Sequence, residues 1–217
     1  MSADLFDFME PQAHCESMGR DAFVLRRFAL PFEQDIWGEL QQVVWLSPLR
    51  HMTTPGGFRM SVAMTNTGRL GWISDKTGYR YDEIDPLSGR PWPTMPSAFK
   101  SLAKSAASHV GFEGFEPDAC LINHYEAGAR LSLHQDKDER DYAQPIVSVS
   151  LGLPATFLFG GLARTDKTLR TVLQHGDVVV WGGVSRLNYH GILPLKPGRH
   201  PLTGECRINL TFRHAGS

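Results

Sequence analysis

From Ala119 onward the chain is a succession of short strand-like runs: Ala119–Tyr125, Ser132–Asp136, Ile146–Leu151, Thr156–Phe159, Leu169–Leu173, Val178–Trp181 and Arg207–Arg213. Turns containing Gly or Asp separate them, and no apolar pattern of helical length intervenes. Parallel strands need a crossover of a dozen or more residues, usually a helix. The spacing therefore argues against a parallel α/β sheet and for a β-sandwich or jelly roll.

The first half has a different texture. Phe23–Phe28 is short and β-like, and Ile36, Leu40, Val43 and Val44 recur at helical spacing over 33–46, between Pro31 and Pro48. A second amphipathic helix is expected over 96–110, with Phe99, Leu102, Ala103, Ala106 and Ala107 on its apolar face. Both helices are expected to pack on the outer face of one sheet. Between them, residues 49–96 are weakly patterned. Thr54-Pro55-Gly56-Gly57 is a turn, Arg59–Thr65 alternates as a strand does, and Gly71-Trp72 and Tyr79-Arg80-Tyr81 follow. So long a stretch inside one domain marks a lid or binding loop rather than a linker. The expected organisation is an irregular, acidic N-terminal segment over 1–20 and a single domain over 21–217. Within that domain the lid covers about 50–90 and the all-β core about 119–217.

The 217 residues are enough for one domain with a good core. A formal net charge of −1 excludes a uniformly basic surface, so any nucleic-acid contact must come from a local patch. Cys15, Cys120 and Cys206 are too far apart for a zinc-knuckle or C-x-x-C pattern, and are expected to be buried free thiols in a reducing cytoplasm. No signal-like or membrane-spanning apolar run is present in the sequence.

Chemistry concentrates in Leu131-Ser132-Leu133-His134-Gln135-Asp136. Side chains two apart on an extended segment share a face, so His134 and Asp136 can aim at one point. They supply two ligands of a 2-His-1-carboxylate site, which leaves positions on Fe(II) for a co-substrate and O₂. His190 is the candidate third ligand, with His175 and His200 as rivals on loops. His-x-Asp alone is weak, since most such pairs are solvated surface groups. The last strand strengthens it: Arg207, Asn209, Thr211 and Arg213 alternate with Ile208, Leu210 and Phe212. Its polar face would lie in water on an ordinary half-buried strand. If that face points inward, paired guanidiniums call for an anion such as a dicarboxylate. Asn123 and Tyr125 share a second strand face, although a satisfied core tyrosine is an equally good explanation of Tyr125. Ser148 is a weaker candidate for the same pocket.

Taken together, His134-x-Asp136, His190 and Arg207-x-Asn209-x3-Arg213 resemble the Fe(II)/2-oxoglutarate dioxygenases. The surrounding text is similar to the bacterial AlkB family of alkylated-nucleobase demethylases. The similar segments include Thr54–Gly57, Met60–Asn66, Gly71-Trp72, Ile84–Pro86, Lys137-Asp138, Phe159–Leu162 and Gly176–Gly183. The likeness runs from about residue 20 to the C-terminus.

This resemblance implies a double-stranded β-helix (jelly-roll) core and a nucleotide-recognition lid. It implies iron on His134, Asp136 and His190. Around 2-oxoglutarate it groups Asn123, His124, Tyr125, Arg207, Asn209 and Arg213, with Arg207 and Tyr125 at the distal carboxylate. Trp72 would stack on a flipped base opposite His134, beside Tyr79 and Tyr81. Asp138 would accept from an exocyclic amine, Arg164 would line the pocket, and Thr54, Met60, Ser61 and Met64 would meet the substrate strand. Arg80, with Arg59, Arg69 and Lys76, interleaves positive charge for phosphates. Departures from the family pattern are Phe58 in place of a tyrosine and His124 in place of an arginine.

The implied activity is oxidative demethylation of bases such as 1-methyladenine and 3-methylcytosine, releasing formaldehyde, succinate and CO₂. The expected substrate is single-stranded DNA, with RNA and duplex DNA carrying a flipped base left open, and the expected state is a monomer. Aromatic planes in the lid suit this, because a base removed from its stack must regain stacking elsewhere. Without the metal and arginine motifs, the same aromatics are explained by a small lid core. Two alternatives belong beside it: an oxygenase of the same chemistry acting on a protein or small molecule, and a non-catalytic jelly roll holding a structural metal.

Overall fold

The computed structural model describes residues 14–216. Strands β1 (Cys15–Gly19) and β2 (Ala22–Leu25) lead into helix α1 (Glu33–Leu46). Then come β3 (Arg50–Thr53), β4 (Arg59–Gly68), β5 (Gly71–Asp75), β6 (Gly78–Asp82) and helix α2 (Ser97–His109). The second half holds β7 (Ala119–Tyr125), β8 (Leu131–His134), β9 (Ile146–Gly152) and β10 (Ala155–Phe159). It closes with β11 (Leu169–Leu173), β12 (Val178–Trp181), β13 (His190–Ile192) and β14 (Arg207–Arg213).

An eight-stranded sheet in the order β1-β2-β12-β9-β14-β7-β4-β3 faces a four-stranded sheet, β11-β10-β13-β8. The pairings within them are antiparallel, as expected where turns rather than crossover helices join strands. This is the jelly roll expected from the sequence. Strand alternation divides the core in two. Ile122, Val147, Val149, Val178, Val180, Ile208, Leu210 and Phe212 turn outward beneath α1 and α2. There Phe99 meets Phe212 edge-on, ring centroids 6.0 Å apart. Leu121, Tyr125, Val179 and Trp181 turn inward against Phe157, Phe159 and Ile192 of the smaller sheet. Both helices therefore cover one face of the large sheet, which leaves the space between the sheets for a site.

Two expectations need correction. Residues 1–13 of the segment read as irregular lie outside the described residues, but 15–19 form an edge strand registered on β2. Its residues alternate between exposed and half-buried, too weak an apolar pattern to be visible in the sequence. The region read as one lid is also divided: β3 and β4 extend the large sheet through β7, and the β5–β6 hairpin forms its own two-stranded sheet. Gly71 lets that hairpin sit close, since a Cβ there would come within 2.3 Å of the Trp92 ring. Asp85, after the hairpin, is tied to Arg50 on β3 by bonds of 2.5 and 3.0 Å. Among the described residues no helix is long and apolar enough to cross a membrane.

Candidate iron and co-substrate site

His134 ends β8 and His190 opens β13, and the two residues are directly paired in the ladder between those strands. Gly191 permits the approach: a Cβ there would lie 2.8 Å from the Leu131 carbonyl oxygen. Each ring donates from Nδ1 to a backbone carbonyl two residues earlier, His134 to Ser132 at 2.8 Å and His190 to Asn188 at 3.0 Å. Those bonds fix the tautomer and leave both Nε2 atoms as lone-pair donors. Each Nε2 lies 3.7 Å from an oxygen of Asp136. One ligand atom from each of the three side chains falls within 4.8 Å of the others, and among the described residues no other such group occurs.

The electrostatics suit a cation. Burial alone would raise the Asp136 carboxyl, but Arg213 and then the two histidines hold it well below the usual carboxylate range. Arg213 donates to Asp136 Oδ2 from Nε at 3.0 Å and from Nη2 at 2.7 Å. Burial, followed by the neighbouring His134, brings His190 down to about 4, so its imidazole is neutral at physiological pH. Two imidazoles, the His190 ring neutral, and an ionised carboxylate are the donor set that a divalent transition metal takes.

Beside these groups the polar face of β14 does point inward. Arg207, Asn209, Thr211 and Arg213 all line a cavity of about 790 Å³ that also contains the three candidate ligands. Arg207 is 1% exposed and lies 5.0 Å over the Tyr125 ring. Its Nη2 donates to Ser150 Oγ at 2.9 Å, while Nε and Nη1 have no protein partner. A buried guanidinium with two unsatisfied donors and no carboxylate beside it is costly unless an anionic ligand completes it. The residues present therefore fit both a ferrous ion and an adjacent dicarboxylate. Asn209 accepts from Asn123 at 3.1 Å and from Thr211 at 2.9 Å, and donates to Ser148 at 2.8 Å. Tyr125 is buried, which pushes its phenol up to about 12, so it remains a neutral donor.

The cavity is also lined by Thr54, Met60, Ser61, Met64, Trp72, Tyr79, Asp138 and Arg164. Trp72 and Tyr79 stack at 5.5 Å and 13°, and Trp72 Nε1 donates to Asp138 at 2.8 Å. Ser61 Oγ donates to the Arg130 carbonyl and accepts from the Arg130 amide, which binds the β4 end of the cavity to the loop before β8.

Three residues expected at the site, His124 and Tyr81 by resemblance and Arg80 from the charge pattern of the lid, are not on the cavity wall. His124 lies between Asn123 and Tyr125, so alternation turns it to the other face of β7. Arg80 pairs with Asp75 at 2.9 Å on the hairpin surface. Tyr81 turns behind the cavity, where its hydroxyl donates to Glu139 at 2.6 Å. Arg213 lines the cavity as expected, but its guanidinium is engaged by Asp136 and by Glu139, the latter at 3.3 Å. Sequence reasoning missed Ser150, Glu139 and Arg186. Ser150 had a signal, being two residues beyond Ser148 on one strand face. Glu139 and Arg186 had none, because isolated charges in loops ordinarily stay in water.

The model of the 2OG-Fe(II) oxygenase superfamily matches residues 22–213. The chain is 57% identical over 213 residues to the alpha-ketoglutarate-dependent dioxygenase AlkB of Escherichia coli (strain K12), covering 98% of each chain. It is 32% identical over 130 residues to the human nucleic acid dioxygenase ALKBH1, covering 59% of this chain and 33% of that one. Among solved structures, OsALKBH1 superposes with a TM-score of 0.79 at 28% identity, over 93% of this chain and all of the other.

Proposed function

The chain belongs to the 2OG-Fe(II) oxygenase superfamily, and on that footing we propose that it removes alkyl groups oxidatively from the bases of nucleic acids. The observation that carries the reading is one cavity holding the His134–Asp136–His190 cluster, the uncompensated Arg207 and the Trp72–Tyr79 stack. An oxidant alone would suit many substrates. A stacked aromatic pair with a carboxylate beside it suits a planar, cationic one, and methylation at N1 of adenine or N3 of cytosine creates such a base. The human relative is a nucleic acid dioxygenase by name, which points the same way.

In this reading His134, Asp136 and His190 hold iron, and Arg207 with Tyr125 anchors the far carboxylate of 2-oxoglutarate. When bound, iron, 2-oxoglutarate and O₂ supply an oxidant that hydroxylates an N-methyl group, with succinate and CO₂ as co-products. The hydroxymethylated base then loses formaldehyde. The protein's own contribution is positioning. The Nδ1 bonds of both histidines hold the Nε2 lone pairs on one point, and Arg213 keeps Asp136 ionised and oriented. The Trp72–Tyr79 stack replaces the neighbours that a base loses on leaving its strand, and Asp138 faces its positive charge. Arg59, Arg130 and Lys137 around the same cavity are available to phosphates. The preferred substrate is single-stranded DNA, where unstacking costs least, with RNA the next candidate. A cavity completed within one chain supports action as a monomer. The three free thiols fit a reducing cytoplasm, although, against expectation, only Cys120 of them is buried and Cys15 on the edge strand is exposed.

Matched methylated and unmethylated single-stranded oligonucleotides, in DNA and RNA form, test the proposal. Formaldehyde and succinate should appear together with the methylated strand. Succinate formed with a peptide pool, and no formaldehyde from any oligonucleotide, would move the substrate to another class.

A further inference from the structure

The β5–β6 hairpin is fastened to the loop that starts at the iron-site carboxylate. Trp72 and Tyr81 are directly opposite one another in the hairpin register. Their side-chain donors reach consecutive acids, Trp72 Nε1 to Asp138 at 2.8 Å and Tyr81 Oη to Glu139 at 2.6 Å. The two bonds differ in setting. Asp138 is on the cavity wall, where a substrate would compete for it, whereas Glu139 is 6% exposed and absent from the wall. The second bond lies outside the space that a base would enter.

Glu139 leads onward to the metal ligand by two routes. Its Oε1 accepts from Tyr81 and lies 3.3 Å from Arg213 Nε, and Arg213 holds Asp136 Oδ2 at 2.7 Å. Its Oε2 accepts from Arg186 Nη2 at 3.0 Å, while Arg186 Nη1 donates to the Asp136 carbonyl at 2.8 Å. Arg186 Nε donates to the Gln144 carbonyl, so the guanidinium is committed to this loop. Two carboxylates and two guanidiniums thus form a buried, charge-balanced cluster, and the hairpin enters it through a single phenol. Charged groups so buried are held in place by their partners, so a change at Tyr81 is passed to the orientation of Asp136.

We propose that Glu139 is a positioning residue that couples the base-recognition hairpin to the iron site: through Tyr81 it senses hairpin closure, and through Arg213 and Arg186 it sets Asp136. The inference rests on the demethylase reading, because the ligand that closes the hairpin is taken to be a methylated nucleic acid. It requires a methylated oligonucleotide to tighten metal binding, and metal to tighten oligonucleotide binding by the same factor.

The test uses Co(II) as a redox-silent probe, titrated anaerobically into the full chain with 2-oxoglutarate, with and without a 1-methyladenine oligonucleotide. The wild type should bind Co(II) more tightly with the oligonucleotide, by about fivefold or more. Tyr81→Phe should keep the metal site while the enhancement falls to near unity. Glu139→Gln, which retains the shape and removes the charge, should lose the enhancement and weaken Co(II) binding in the absence of oligonucleotide too. A merely structural role would lower the melting temperature and leave the ratio intact. An unchanged ratio in both variants overturns the proposal and leaves the demethylase reading standing. A wild type that binds the oligonucleotide with no enhancement also overturns it. A wild type that does not bind the oligonucleotide removes both.

Discussion

Arg207→Met is the most informative single change at this site. The substitution keeps an unbranched, buried stem and removes all the guanidinium donors. In the free protein the change removes the Nη2 bond to Ser150, but Nε and Nη1 have no protein partner, so the loss there is small. Exchanging a poorly compensated buried charge for an apolar side chain is often neutral or stabilising. The cost falls on the co-substrate. Two charge-assisted hydrogen bonds to a carboxylate, at about 1.5–3 kcal/mol each, give about 3–6 kcal/mol. Arg207 is buried, so solvent does not screen this. The apparent KM for 2-oxoglutarate should therefore rise roughly 10²- to 10⁴-fold, with kcat at saturation much less affected. The assay is succinate formation over a range of 2-oxoglutarate concentrations, with a melting curve of the ligand-free protein beside it. A KM within about threefold of wild type, in a protein that melts normally, would show that Arg207 does not hold the co-substrate.

Other outcomes follow from the same geometry. Trp72→Ala should weaken binding of the methylated oligonucleotide by about 1–3 kcal/mol, roughly 5- to 140-fold, as read by fluorescence anisotropy; an unchanged affinity would give Trp72 a purely structural role. Asp85→Asn, which breaks the buried pair with Arg50, should cost about 1.5–3 kcal/mol of unfolding free energy at pH 7. Burial tends to raise the Asp85 carboxyl, but Arg50 and the Leu87 amide lower it overall. A depressed folded value means that its stabilisation is present above the ordinary value of about 3.9 and is lost as pH falls through the folded one. The gap between wild type and variant in urea melts should therefore be full at pH 7 and close below about pH 4. Asp136→Asn should abolish formaldehyde release while retaining the β-rich circular dichroism of the wild type; continued turnover would remove Asp136 from the site.

Much of this architecture could be read from residue order, because β-strands announce themselves by alternation. Glu33–Leu46 and the strands Ala119–Tyr125, Leu169–Leu173, Val178–Trp181 and Arg207–Arg213 form where the pattern puts them. The alternation of β14 also gave the direction of Arg207 and Arg213, but direction does not name a partner. Both guanidiniums face the cavity, yet one is committed to Asp136 and the other has donors to spare. His190 was identified by its order in the chain rather than as part of a strand. β13 is three residues long and contains a glycine, so it carries no legible period. Its place opposite His134 is set by the ladder. The family resemblance groups Tyr81 with Trp72. The hairpin does pair the two residues, but the cluster around Glu139 takes the tyrosine hydroxyl away from the cavity.

In the proposed enzyme His134, Asp136 and His190 hold one ferrous ion beside a site for a keto-diacid. Anaerobic titration with Fe(II) and 2-oxoglutarate, followed by the visible charge-transfer absorption of an iron-bound 2-oxo acid, measures this without any nucleic acid present. The band should saturate at one iron per chain, require far more 2-oxoglutarate in Arg207→Met, and be absent when His134 and His190 are both replaced by alanine. A band of undiminished intensity in that double variant would show that the iron is held elsewhere.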